Sequence, residues 1–205
     1  EGDHLYNLFK VHGRDQEGAY LEKVDLNSGN QKWFTYFDLT TGDRQEVPVL
    51  MRIKSGEYIE LLSQKLNVPF STENDLYLSG TDMSVVYRKY DDATGALIEE
   101  IIPDSNDTLS LRTQHSFFPR GNDVSYFFSE DDGNFRYIER LKFGNKFKFK
   151  SYKIDKRGYV LSKSDTIDIG LDEFNAILLP KSKDTLVYLN FKTTEKQAYL
   201  QFFDY

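Results

Sequence analysis

Short runs in which apolar and polar residues alternate fill most of this chain, with turn-forming clusters between them. A period of two marks half-buried β-strands, so the pattern predicts an all-β protein. Only SGEYIELLSQKL (55–66) reads two ways. Ile59, Leu62 and Leu66 stand at helical spacing behind a possible Ser55 cap, while the neighbouring pattern favours a strand or irregular structure.

One strand returns along the chain: YLEKVDL from Tyr20, VYRKYDD from Val86, YIERLKF from Tyr137 and YLQFFDY from Tyr199. Each copy follows a second strand-like run that opens at an aspartate: Asp3 (DHLYNLF), Asp75 (DLYLSG), Asp123 (DVSYFF) and Asp184 (DTLVYLNF). These pairs predict hairpins near 3–29, 75–95, 123–144 and 184–205. Self-similarity on this scale is the signature of a repeat architecture. Further strands join them, among them QKWFTYFDL and EVPVLMRIK, whose Pro48 suits an edge position. Antiparallel units of four strands with short turns fit propeller blades, so the expected fold is a β-propeller of about four repeats forming a single domain over 1–205.

The blade entrances carry a bulky residue, a proline and a polar turn: Val68-Pro69, Phe118-Pro119 and Leu179-Pro180. In this the chain resembles the TolB-like and WD40-like propeller repeats. FFPRGNDVSYFF and LLPKSKDTLVYLN are similar to that family's entrance turn, and YLEKVDLNSG and YRKYDDATG to its third strand and following turn. The first unit lacks an innermost strand and the last stops after its third. The expectation is therefore a segment of a larger propeller of about six to eight blades, with a four-bladed ring closed by the two termini as the alternative.

Composition narrows the partners. Aromatics make up 15% of the residues, with 16 Phe and 14 Tyr, which suits pleated, half-buried surfaces rather than disorder. A net charge of -7 argues against nucleic acid as a partner. The chain has no cysteine, which excludes disulfides and thiolate metal sites. No apolar run reaches the ~20 residues of a transmembrane helix.

Nothing in the sequence forms a catalytic signature: the Gly-x-Ser-x-Gly elbow is missing and the imidazoles are only His4, His12 and His115. His4 heads a strand, where packing or solvation explains it. The loop HGRDQEG brings His12, Arg14 and Asp15 to the rim that the other second-to-third strand turns should share. Those turns hold Asp82 and the pair Asp131 and Asp132, and Arg112 and His115 approach an inner strand nearby. The resemblance implies that ligands bind on such a rim, although Gly, Asp and Asn are also simply good turn formers.

SEDDGNF from Ser129 is similar to the Asp-box turn of sialidase-like propellers, which is a structural turn. KFKFKSYKIDKR (146–157) places its lysines on one face of a strand. That arrangement suits an outer strand protected from edge pairing, or a site for an acidic polymer or surface. Of the aromatics in WFTYF, either Trp33 with Phe37 or Phe34 with Tyr36 faces outward, where stacking on a sugar is conceivable. Glu99 and Glu100 point to opposite sides and form no acid/base pair. Asn106-Asp107-Thr108 is an N-glycosylation sequon, and Asp107-Thr108-Leu109, Asp165-Thr166-Ile167 and Asp184-Thr185-Leu186 resemble a bacterial O-glycosylation motif.

The expected role is a non-enzymatic binding or scaffolding module of a secreted, periplasmic or cell-surface bacterial protein. It would hold a protein partner or a glycan on its rim without catalytic residues, metal or cofactor, and another chain would complete the propeller. Two alternatives stay open. One is a propeller accessory to a serine peptidase of the prolyl oligopeptidase type or another hydrolase. The other is a propeller enzyme such as a glycan lyase or a quinoprotein, whose repeat YLEKVDLNSGNQKW resembles.

Overall fold

The computed structural model describes residues 2–12, 17–41, 44–66, 78–81, 83–102, 113–115, 126–143, 146–164, 167–168, 176–182, 185–192 and 197–204. These form strands and turns, without a helix among the described residues. In chain order the strands are β1 (His4–His12), β2 (Glu17–Asp25), β3 (Gln31–Asp38), β4 (Thr40–Thr41), β5 (Arg44–Lys54) and β6 (Tyr58–Leu66). Next come β7 (Leu78–Thr81), β8 (Met83–Asp91), β9 (Leu97–Ile101), β10 (Thr113–His115), β11 (Tyr126–Ser129) and β12 (Phe135–Phe143). The last are β13 (Lys146–Ile154), β14 (Val160–Lys163), β15 (Ile167–Asp168), β16 (Ala176–Ser182), β17 (Thr185–Lys192) and β18 (Gln197–Asp204). All pair antiparallel, and they fall into two compact units, 1–71 with 82–110 and 72–81 with 111–205.

The first unit consists of two sheets, β1-β2-β3 and β4-β5-β6-β8-β9. They share one construction. Asp25 ends β2 and Asp91 ends β8, and each turns its carboxylate back onto the following backbone amides, those of Asn27 and Ser28 or of Ala93 and Thr94. Four residues later Gly29 and Gly95 adopt φ of 70° and 73°, a region that a side chain disfavours. A bulge follows at the same place in both, between Lys23 and Val24 and between Lys89 and Tyr90. In its first two copies the repeated motif is thus a repeated strand, turn and bulge, whereas β12, the third copy, pairs with β13 without a bulge.

The two glycines differ in their surroundings. A Cβ on Gly29 would meet nothing within 4 Å, whereas one on Gly95 would lie 2.5 Å from the Trp33 ring. Gly29→Ala should therefore cost only the left-handed penalty of about 1–2 kcal/mol. Gly95→Ala should cost about 1–3 kcal/mol more by forcing the Trp33 ring aside, a difference readable as a lower urea midpoint.

Trp33 is near Gly95 because the sheets lie face to face. Ala19, Leu21, Trp33, Phe37 and Leu39 form one core with Ile59, Leu61 and Tyr90, and Tyr6, Leu8 and Met51 pack against it. In β6 and β8 alternation gives way to near-continuous burial: Ile59, Glu60, Leu61, Leu62 and Ser63, then Val85, Val86, Tyr87 and Arg88. Both faces of this sheet's centre are thus withdrawn from water, and the ambiguous stretch 55–66 is a strand from Tyr58 onward. Pro48 sits at a bulge in β5, where a missing N–H breaks no ladder bond.

One expected hairpin is rearranged. β8 pairs with β6 and β9, while β7, which follows Asp75, pairs with β10 and belongs to the second unit. YIELLSQKL fills the place expected for DLYLSG, because its nine residues match the full length of β8 and cover it with apolar side chains, where β7 offers four.

The second unit holds three sheets: β7 with β10, β11-β12-β13-β14 with β15 beside β13, and β16-β17-β18. Phe135, Tyr137, Ile138 and Ile154 are buried in it. The lysine-rich strand β13 is not an outer one, since β12 flanks one side and β14 and β15 the other. Its lysines therefore do not protect an edge. Lys150 stands opposite Glu139 in the ladder and its ammonium lies 5.4 Å from the Tyr152 ring.

Candidate functional site: a rim turn and buried ionic clasps

The expected rim residues are only partly within the described structure. Arg14, Asp15, Asp82 and Arg112 lie outside the described residues, as do the sequon and the first two entrance prolines. His12 ends β1, opposite Glu17, and His115 ends β10, opposite Leu78. Asp131 and Asp132 are exposed on the turn from Glu130 to Asn134, closed by the bond from the Gly133 amide to the Glu130 carbonyl. Lys153 of β13 braces this turn, lying 3.2 Å from Glu130 and pairing with Asp132. The bond from Lys153, joined by bonds from Asn134, draws the Asp132 carboxyl down to about 2. Arg136 pairs with Glu130 from the other side and donates to Ser151 Oγ at 2.9 Å. The turn is therefore braced at Glu130 and Asp132, while Asp131 stands exposed between them.

The more elaborate polar constructions are buried, and composition did not point to them. Asp92, the residue after the turn aspartate Asp91, is 1% exposed. Its Oδ1 accepts from the Tyr6 hydroxyl at 2.7 Å, and its Oδ2 from Lys23 Nζ at 2.9 Å and from the Gly56 amide at 2.7 Å. Its carbonyl oxygen accepts from Lys23 Nζ at 3.1 Å and from Trp33 Nε1 at 2.9 Å. β1, β2 and β3 each contribute one donor because Tyr6, Lys23 and Trp33 stand on one face of the first sheet, in register across it. The clasp is the polar centre of the interface between the two sheets.

Burial pushes the Asp92 carboxyl up, but the bonds from Tyr6, Lys23 and Gly56 outweigh it and hold it below its ordinary value. Burial likewise disfavours the Lys23 ammonium, yet its bonds with Asp92 and Tyr6 hold its pKa above the ordinary lysine value. The pair is ionised at neutral pH, and both carboxylate oxygens are engaged by donors. A general base needs a pKa near the working pH and an open lone pair, so this arrangement locks sheets together and does not move protons.

A second clasp lies between β5, β8 and β9. Glu46, fully buried, accepts from Arg88 Nη1 at 2.7 Å and Nη2 at 3.3 Å, and Arg88 Nε donates to Glu100 at 2.7 Å. The guanidinium also lies 5.2 Å from the Phe37 ring of the first sheet. On the opposite face of the same sheet Glu60 accepts from the Tyr87 hydroxyl at 2.7 Å and pairs with Arg52. Lys89 Nζ stands 3.8 Å over the Tyr58 ring there. Among the described residues no group of three His, Asp or Glu side chains is placed to hold a metal ion. No helix among them is long and apolar enough to cross a membrane.

Of the two outward options for WFTYF, the structure takes the second: Trp33 and Phe37 are buried, and Phe34 and Tyr36 are exposed. Tyr20 lies 5.1 Å from Tyr36, 6.1 Å from Phe34 and 5.5 Å from Phe9, so four rings cluster on the outer face of the first sheet. The chain matches no protein-family model and no curated protein.

Proposed function

We propose that the chain is a β-propeller or a segment of one, of the TolB-like and WD40-like kind. It works as a non-enzymatic binding or scaffolding module of a secreted or cell-envelope bacterial protein and holds a protein partner or a glycan on its loop rim. The observation that carries this reading is the repeated strand, turn and bulge at Asp25 and Asp91, with one sheet laid on the next. Such stacking is how propeller blades share a core while their loops stay free to vary. The buried Asp92–Lys23 and Glu46–Arg88 pairs fit the same reading, because their hydrogen bonds tie strands and sheets together.

Asp131 is the rim residue to probe, since its carboxylate is exposed and the Lys153 brace acts on its neighbours. Purified chain should bind one member of a panel of immobilised bacterial envelope polysaccharides and secreted proteins. Asp131→Asn should weaken that binding by about tenfold, the equivalent of roughly 1.4 kcal/mol. Cleavage of a polysaccharide, peptide or ester by the chain would overturn the non-enzymatic reading. An unchanged affinity in Asp131→Asn would remove this turn from the binding surface.

A further inference from the structure

We propose that the outer face of the β1-β2-β3 sheet binds a neutral oligosaccharide. Its sugar rings stack on Phe34 and Tyr36, and its hydroxyls bond to the polar bar formed by Asn7, Glu22 and Gln31. All of these residues belong to one sheet of the first unit, whereas the rim residue Asp131 belongs to the second.

The register sorts the face into rows. Phe9, Tyr20 and Tyr36 stand opposite one another across the three strands, and Asn7, Glu22 and Phe34 form the next row. Glu22 accepts from Asn7 Nδ2 at 2.8 Å and, through its other oxygen, from Gln31 Nε2 at 2.8 Å. These two bonds use only part of what the three groups offer. An ionised carboxylate has about four acceptor sites, and each amide that donates once keeps a second N–H and its carbonyl oxygen. A sugar hydroxyl both donates and accepts, so the bar meets it in both directions. The rings stand beside the bar. Phe34, 59% exposed, is the ladder partner of Glu22, and Tyr20 lies 6.1 Å from Phe34 and 5.1 Å from Tyr36. The Tyr36 ring in turn rests over Gly18, where a Cβ would fall 2.3 Å from it. The apolar C–H face of a pyranose stacks on such rings, and a platform already assembled loses little freedom on binding.

The polar bar also decides between a ligand and a further layer of sheet on this face. Among the described residues the buried carboxylates are those of Glu46, Glu60 and Asp92, and each holds a cation: Arg88, Arg52 and Lys23. Glu22 holds two neutral amides instead. Drying a carboxylate without a cation is costly, so a sheet laid here would bury the charge at a loss. A hydroxylated ligand keeps it hydrogen-bonded. The same negative charge selects among sugars, favouring neutral ones over those that carry carboxylates of their own.

Titration calorimetry of the purified chain with cellohexaose, maltohexaose and mannohexaose tests this. At least one of these neutral hexamers should bind, and Phe34→Ala and Glu22→Ala should each weaken that binding by about tenfold. Circular dichroism should report unchanged folding, because both side chains lie on the outer face. An oligogalacturonate of the same length should bind the wild type about tenfold more weakly than the neutral hexamer, and the gap should close in Glu22→Gln. A folded chain that binds none of the three neutral hexamers overturns the site, and so does binding that Phe34→Ala leaves unchanged. The rim is read separately through Asp131→Asn. Sugar binding that falls in Asp131→Asn and persists in Phe34→Ala belongs to the rim, which rejects the sheet-face site and leaves the proposed function intact.

Discussion

Asp92→Ala is expected to lower the stability of the first unit by about 3–5 kcal/mol, the usual range when one partner of a buried ion pair is removed. The loss exceeds one contact because the carboxylate satisfies three donors at once: the Tyr6 hydroxyl, the Lys23 ammonium and the Gly56 amide. Lys23, itself 8% exposed, would keep its charge next to a cavity. Asp92→Asn has nearly the same shape but turns an NH2 toward a site surrounded by donors, so it should recover only part of the difference. Guanidinium unfolding followed by fluorescence measures this directly. Trp33 is the only tryptophan in the chain, and its Nε1 donates to the Asp92 carbonyl. A cost below about 1 kcal/mol, the range of exposed pairs, would mean that water reaches the clasp.

Acid should act through the same group. A carboxylate held below its ordinary value contributes its full stabilisation above that value and loses it as the pH falls through the folded one. The stability difference between wild type and Asp92→Asn should therefore be constant from neutrality down to about pH 5 and shrink on further acidification. Lys23 has the opposite sign: its raised pKa stabilises below the ordinary value of 10.5 and is lost only in strong alkali.

The extent to which this architecture could be read from the sequence follows from the range of the interactions. Turns are local, so Asp25-Leu26-Asn27-Ser28-Gly29 and Asp91-Asp92-Ala93-Thr94-Gly95 declare themselves, and alternation marks strands such as β1 and β3. Pairing partners are not local. DLYLSG reads as the neighbour of β8 and YIELLSQKL only as an ambiguous stretch, yet YIELLSQKL takes the place, and the choice rests on length and two-sided burial, which only the assembled sheet defines. The same holds for the clasps. Asp91 and Asp92 are identical residues side by side, yet one caps an exposed turn and the other meets Tyr6 and Lys23, which stand 86 and 69 residues away along the chain. Neither spacing nor composition separates them. The rim residues read from the loop HGRDQEG, from Asp82 and from Arg112 lie outside the described residues, so only Asp131 and Asp132 join geometry to that expectation.

Arg88→Met should be comparably severe, at about 3–5 kcal/mol, because it strands Glu46. That carboxylate is fully buried, and both its oxygens accept from the guanidinium, while its own amide donates to the Leu39 carbonyl at 2.8 Å. Without Arg88 both oxygens lose the guanidinium bonds that tie Glu46 to β8. Arg88→Lys should not rescue it. One ammonium cannot bond both oxygens of Glu46, reach Glu100 and lie flat against Phe37, tasks that the planar guanidinium performs together. Replacing both partners, as Arg88→Met with Glu46→Leu, should return most of the loss, since a buried pair exchanged for apolar side chains of similar volume is often close to neutral. Denaturant midpoints of the two single variants and the double variant decide the matter. Recovery in the double variant means that the clasp serves cohesion between strands. A double variant no better than Arg88→Met would mean that the charges also fix the register of β5 on β6, which a bulge after Pro48 already shifts.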